Sequence, residues 1–122
     1  MDGVSFRVAQ GEFLVLLGPS GCGKTTTLRC VAGFEEPESG RILIGGVPMT
    51  DPSGGILIPP ERRNLGMVFQ SYAIWPHMTV FENVAYGLAV KKRPREEIRR
   101  KVKEKLALVG LSGLDERPAT AL

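Results

Sequence analysis

Two cysteines, Cys22 and Cys30, and one histidine, His77, are all that 122 residues offer toward thiol or imidazole chemistry. The cysteines show no C-x-x-C spacing and have no histidine near them, which argues against zinc and against a disulfide framework, so both are expected as reduced thiols. A lone loop histidine reads as packing or interface rather than catalysis. Long apolar runs are also missing. The longest is the five residues from Phe13 to Leu17, far short of the roughly 18 needed to cross a bilayer. Met1-Asp2-Gly3 leads straight into strand-like Val4-Ser5-Phe6-Arg7-Val8, with no secretory signal pattern, so the expected compartment is the cytosol. Charge of neither sign dominates: 16 Lys plus Arg against 13 Asp plus Glu leave a net +3. The basic residues bunch at Lys91-Lys92-Arg93-Pro94-Arg95 and Arg99-Arg100-Lys101 without interleaved aromatics, which reads as a solvated helix face and not as a nucleic-acid surface. The length allows one domain or less, burying about 60 to 70% of its extended surface.

Glycine is plentiful, with 15 residues, and its placement carries the chemistry. Gly18-Pro19-Ser20-Gly21-Cys22-Gly23-Lys24-Thr25 fits G-x-x-x-x-G-K-[ST], the phosphate-gripping loop. Glycine tolerates positive φ and brings no side chain to hold a ligand away, so successive N–H groups can turn inward as an anion nest. A helix from Thr25 onward adds unpaired N–H groups and the positive end of its dipole. Lys24 is expected to reach the β- and γ-phosphates, and the Thr25 hydroxyl to ligate the bridging Mg²⁺. Cys22 lies inside the loop, where oxidation would block a nucleotide.

Periodicity places this loop between a strand and a helix. Val4, Phe6 and Val8 alternate with polar residues, Gln10-Gly11 turns, and Phe13–Leu17 reads as a strand buried on both faces, together an antiparallel hairpin. Helix is expected from Thr25 to Ala32, stopped near Gly33, then a loop over residues 35–40 and a strand at 41–44 ending at Gly45-Gly46. Residues 47–64 hold four prolines and are expected to be irregular, apart from a short strand at 56–58. Leu65–Phe69 reads as the next strand, with Gln70 at its carboxyl end. Thr79-Val80-Phe81-Glu82 has the form of a capping box, opening a helix to about Ala89 with Phe81, Val84, Ala85 and Leu88 on one face. A second helix, from near Pro94 to Gly110, buries Ile98, Val102, Leu106 and Val109 and pairs Glu97 with Lys101 and Arg100 with Glu104.

Beyond the loop, Leu28-Arg29-Cys30-Val31-Ala32-Gly33-Phe34-Glu35, the Ser39-Gly40-Arg41-Ile42 turn, residues Pro60 to Gln70 and the stretch Tyr72 to Val80 together resemble the nucleotide-binding subunit of an ATP-binding cassette (ABC) transporter. The last two stretches are similar to solute importers for polyamines, ferric iron, sulfate, maltose and related compounds. The resemblance implies an α/β fold, an incomplete P-loop NTPase core with antiparallel strands at the amino end. Residues 1–78 would form the partial ATP-binding core and residues 79–122 the start of a helical subdomain. It implies MgATP as ligand, held by Gly18, Pro19, Ser20, Gly21, Cys22, Gly23, Lys24, Thr25 and Thr26. Lys24 and Gln70 would take part in catalysis, and Thr25 and Gln70 would serve the metal. The implied partners are a second nucleotide-binding subunit, membrane permease subunits docking on the Tyr72 to Phe81 region and, indirectly, a solute-binding protein. The implied location is the cytoplasmic face of the membrane, peripherally bound.

The family pattern is incomplete here. Only 17 residues precede Gly18, and Phe6 is no convincing adenine-stacking aromatic. Leu111-Ser112-Gly113 starts like the family's signature, but Leu114-Asp115 follows, so it reads as a helix-terminating turn. The Walker B strand and switch histidine would also follow Leu122. The expectation is therefore an amino-proximal fragment that binds nucleotide and hydrolyses it negligibly, the complete subunit being the transport ATPase. The rivals are a P-loop nucleotide or small-molecule kinase and a nontransport ABC-type module.

Overall fold

The computed structural model describes residues 3–122. Met1 and Asp2, where the expected domain of residues 1–78 begins, lie outside the described residues. The chain divides into two compact units, one ending at Val68 and the other spanning Phe69–Leu122. This division falls ahead of the boundary after residue 78 read from the sequence.

In the first unit, the glycine loop leads into α1, Lys24–Ala32, which Gly33 ends in the left-handed conformation at φ 87°. Its N–H closes the final turn on the Arg29 and Cys30 carbonyls, so the helix stops where the sequence predicted. Three strands follow in antiparallel order: β1 (Ile42–Ile44), β2 (Val47–Asp51) and β3 (Ile56–Leu57). Gly45 and Gly46 have φ of 58° and 80°, and two consecutive positive φ values make the two-residue turn that matches strand twist. The strand β2 corrects the expectation of irregular chain over residues 47–64. Pro48 is accommodated beside a register shift between Ile42 and Leu43, where the ladder is already interrupted.

Asp51 ends β2 and caps the short 3-10 turn Pro52–Gly54, accepting hydrogen bonds from the Ser53 hydroxyl at 2.6 Å and the Gly54 N–H at 3.1 Å. Gly55, at φ 67°, then returns the chain into β3. Among the described residues of this unit the fully buried side chains are polar: Thr50 and Arg63.

The expected strands at Val4–Val8, Phe13–Leu17 and Leu65–Phe69 do not form, although the chain does turn after Ala9, where the Glu12 N–H bonds the Ala9 carbonyl at 3.1 Å. A strand exists only when a neighbour takes its N–H and C=O groups, and no described residue pairs with these segments in a sheet. Their side chains are correspondingly open, Phe13 at 90%, Leu17 at 95% and Val68 at 97% exposure.

The second unit is a helical pair, α2 (Val80–Val90) and α3 (Arg95–Leu108). The capping box forms as read: the Glu82 N–H donates to the Thr79 hydroxyl at 3.2 Å and the Thr79 N–H to the Glu82 carboxylate at 2.8 Å. Val80, Ala85, Val102 and Leu106 make the core, with Phe81, Ile98 and Leu111 packed against it. Val84 and Val109, expected on the buried faces, are instead 41% and 64% exposed. A seam between only two helices covers a narrow stripe of each.

Glu97 pairs with Lys101 at 2.9 Å as expected. Glu104 corrects the other expected pair by bonding its neighbour Lys105 at 2.9 Å, with Arg100 acting on it only through its charge. After Gly110, at φ 75°, the chain turns at Leu111-Ser112-Gly113 and returns to α2. The Val80 N–H meets the Arg117 carbonyl at 2.9 Å, and the Phe81 N–H meets the Asp115 carbonyl at 2.9 Å.

Two outcomes follow from these elements. Thr79→Ala removes one half of the capping box and is expected to cost about 1 kcal/mol in urea denaturation followed by helical circular dichroism. For Asp51, the Ser53 hydroxyl, with the Gly54 amide and the Arg41 charge, holds the carboxyl below its usual value of 3.8. A depressed folded pKa means that its stabilisation is full above the unfolded value and is lost as pH falls through the folded one. Urea midpoints between neutral and strongly acid pH should therefore fall less steeply at the acid end in Asp51→Asn than in the parent.

Candidate functional site

The phosphate-type loop occupies residues 18–23 and ends in the first turn of α1. Gly21 and Gly23 sit at φ 79° and 95°, positions that side-chain-bearing residues adopt only under strain. Gly18 is needed for a different reason: a Cβ there would stand 2.6 Å from the Cys22 sulfur. The Cys22 N–H donates to the Pro19 carbonyl at 3.3 Å, which closes the loop on itself.

No side chain caps the N-terminus of α1, and its first turn contains no acidic residue. The N–H groups there keep their positive end open to an anion. Thr25 and Thr26 are exposed at that terminus, while the Thr27 hydroxyl donates to the Gly23 carbonyl at 2.8 Å and braces the turn.

Lys24 curls back over the loop. Its ammonium donates to the Gly18 and Pro19 carbonyls, both at 2.7 Å, and lies 3.5 Å from the Cys22 sulfur. A cation is thus held beside the N–H groups by neutral acceptors, with no carboxylate paired to it among the described residues. Inward N–H groups and an ammonium without an acidic partner are the chemistry that a polyanion would need. Cys30, further along α1, has its thiol pushed up by burial and by Glu35, against the opposing charge of Arg63, so it is the less reactive kind of thiol.

Residues 18–26 therefore come together within the first unit. Gln70 belongs to the second, on an exposed stretch and not at the end of a strand. The segment after it is organised by a residue that sequence reasoning passed over. Asn83, one turn into α2, accepts from the Trp75 N–H at 2.8 Å and donates to the carbonyls of Trp75 at 3.1 Å, Met78 at 3.4 Å and Thr79 at 2.9 Å. Trp75 stacks on Tyr86 with ring centroids 4.1 Å apart, while Tyr72 stands 95% exposed. Beside them lies a groove of about 440 Å³, lined by Met78, Phe81, Tyr86 and Ile98, with Arg95 and Arg99 also on it. Among the described residues no three His, Cys, Asp or Glu side chains gather as a metal site, and no helix is long and apolar enough to cross a membrane.

Comparison with known proteins decides the family. The profile of the ABC transporter family matches residues 1–122. The chain belongs to that family. It is 54% identical over 114 residues to a trehalose/maltose import ATP-binding protein, MalK, of Thermococcus litoralis, covering 93% of this chain and 31% of that protein. Against a spermidine/putrescine import ATP-binding protein, PotA, of Acidothermus cellulolyticus it is 59% identical over 114 residues, with 93% and 28% covered. Against PotA of Mannheimia succiniciproducens it is 49% identical over all 122 residues, with 31% of that protein covered. The chain thus spans between 28% and 31% of the length of these relatives. Membership in the ABC transporter family accords with the α/β P-loop class read from the sequence.

Arg63 was also passed over, because an arginine in a loop carries no sequence signal of burial. Its guanidinium lies against Gly33, where a Cβ would come 2.4 Å from Nε. Gly21 has a similar positive φ but nothing within 4 Å of its Cβ position. Replacement by alanine separates backbone strain from collision. Gly21→Ala should cost about 1 kcal/mol, and Gly33→Ala a further 1 to 3 kcal/mol or so for forced repacking, both read from urea denaturation of the first unit.

Proposed function

We propose that this chain binds MgATP through residues 18–26 as part of the ATP-binding subunit of a solute importer. The observation that carries the proposal is the glycine loop itself, with two left-handed glycines, an uncapped helix terminus and the Lys24 ammonium drawn into it. Family membership and relatives that are import ATP-binding proteins support it.

In this reading, backbone N–H groups of Gly21, Cys22, Gly23, Lys24, Thr25 and Thr26 take the phosphates, with Pro19 and Ser20 shaping the turn from Gly18. Lys24 exchanges its carbonyl acceptors for β- and γ-phosphate oxygens. The hydroxyl of Thr25 and the side-chain carbonyl of Gln70 are hard oxygen donors that suit Mg²⁺, which typically keeps several waters and shares substrate phosphates. As part of MgATP, the ion would neutralise charge developing on the phosphates during transfer to water. Lys24 would stabilise the same charge, and Gln70 would orient the attacking water.

Residues 1–78 would serve as the partial nucleotide core and residues 79–122 as the start of the helical subdomain. The groove beside Trp75 and Tyr86 would receive a permease subunit, with the Tyr72 to Phe81 segment at its edge. A second nucleotide-binding subunit would complete the hydrolytic site at the cytoplasmic face of the membrane, and a solute-binding protein would act through the permease. Phosphoryl transfer needs water, metal and charge stabilisation together, and these 122 residues hold only Lys24, Thr25 and Gln70 toward it.

Titration of the chain with a fluorescent ATP analogue and Mg²⁺ is expected to show saturable binding that Lys24→Ala weakens by about tenfold or more, roughly the loss of one charge-assisted contact. The chain alone should release negligible phosphate from ATP. Binding unaffected by Lys24→Ala would sink the assignment of the loop. Lys24-dependent turnover matching a complete relative would sink the division between binding and hydrolysis.

A further inference from the structure

Arg63 is 1% exposed, yet it faces no carboxylate among the described residues. Its five donors meet neutral oxygens. Nε donates to the Ile58 carbonyl at 2.7 Å, Nη1 to the Cys30 and Val31 carbonyls at 2.9 and 3.0 Å, and Nη2 to the Met49 carbonyl at 3.4 Å and the Thr50 hydroxyl at 2.8 Å. One planar group therefore joins the last turn of α1, the strand β2 and the exit from β3. Gly33 lies flat against it because any Cβ would collide.

Burying a cation is costly, and a well-packed apolar side chain commonly stabilises a fold as well or better. What the guanidinium provides and an apolar residue cannot is a directional hold on the last carbonyls of the helix, Cys30, which also accepts from the Gly33 N–H, and Val31, with positive charge at the negative end of the dipole. The helix it holds is the one whose opposite end carries Lys24 and Thr25. Its nine residues leave little length in which a change of tilt at Cys30 and Val31 could be absorbed before the loop.

We propose that Arg63 is a positioning residue for nucleotide phosphate. By fixing the carboxyl end of α1 on the three-stranded sheet, it sets the direction in which the helix presents its amino end and the glycine loop. The phosphate at one end and the guanidinium at the other act on the same helix dipole, so each strengthens the hold of the other. The proposal rests on the reading that residues 18–26 bind nucleotide.

By linkage, the coupling is reciprocal. In the full chain, saturation with MgATP should slow hydrogen exchange of the Gly33 and Phe34 amides, which bond the Cys30 carbonyl at 3.1 Å and the Arg29 carbonyl at 2.9 Å. Arg63→Lys keeps the charge but not the planar fork, and is expected to weaken MgATP binding about fivefold or more while thermal unfolding stays cooperative. Arg63→Ala should bind more weakly still and regain affinity when methylguanidinium is added, a rescue that a general loss of packing would not show. Unchanged exchange in the parent on saturation, or parent-like affinity in a folded Arg63→Lys, overturns the inference. Should either variant fail to fold, the exchange measurement on the parent decides alone. A parent that binds no nucleotide overturns the functional reading and this inference with it. A parent that binds normally while Arg63 proves indifferent overturns the inference alone.

Discussion

The first unit is built around a hydrogen-bonding constraint: carbonyls at the end of a helix and along a bulged strand must find donors once they leave water. Arg63 supplies five of them from one rigid plane, beside the Gly33 and Ile58 N–H groups that also reach the Cys30 and Met49 carbonyls. Without it, the Cys30, Val31 and Met49 carbonyls and the Thr50 hydroxyl would lose their shared partner, and the helix that follows the glycine loop would lose its anchor on the sheet. The geometry of the loop is therefore local in origin, through its glycines, but its orientation depends on contacts made by residues more than thirty positions away.

The second unit solves its problem by different means. Its core is apolar and small, four buried side chains between two helices. The entry to α2 is held by the reciprocal Thr79 and Glu82 bonds, and the segment before it is gathered by Asn83. These polar devices give the aromatic stretch a defined backbone while leaving Tyr72 open, so the surface beside the groove is shaped without being sealed.

Much of this was legible in the chain. The phosphate-type loop, the helix ending at Gly33, the two later helices, the capping box and the Glu97 to Lys101 pair all rest on contacts between residues a few positions apart, where spacing and residue type carry the signal. The strand ending at Gly45-Gly46 was legible too, but the prolines after it obscured β2, and with it the hairpin, until the bulge showed how Pro48 fits. Arg63 and Asn83 were not legible, because neither belongs to a periodic pattern and each works through partners brought in by folding.

The segments Val4–Val8, Phe13–Leu17 and Leu65–Phe69 mark the boundary between the two kinds of information. Their apolar and alternating patterns state a capacity for strand, and that capacity is intrinsic. Becoming a strand is not, since every N–H and C=O must be met by a neighbour on another segment. By itself, then, the sequence determined the glycine loop, the helices and their caps, because those depend on nearby residues. Tertiary structure alone decided which apolar segments are paired, that an arginine is the centre of the first unit, and how the helix behind Lys24 is aimed, because those depend on donors and acceptors far apart along the chain.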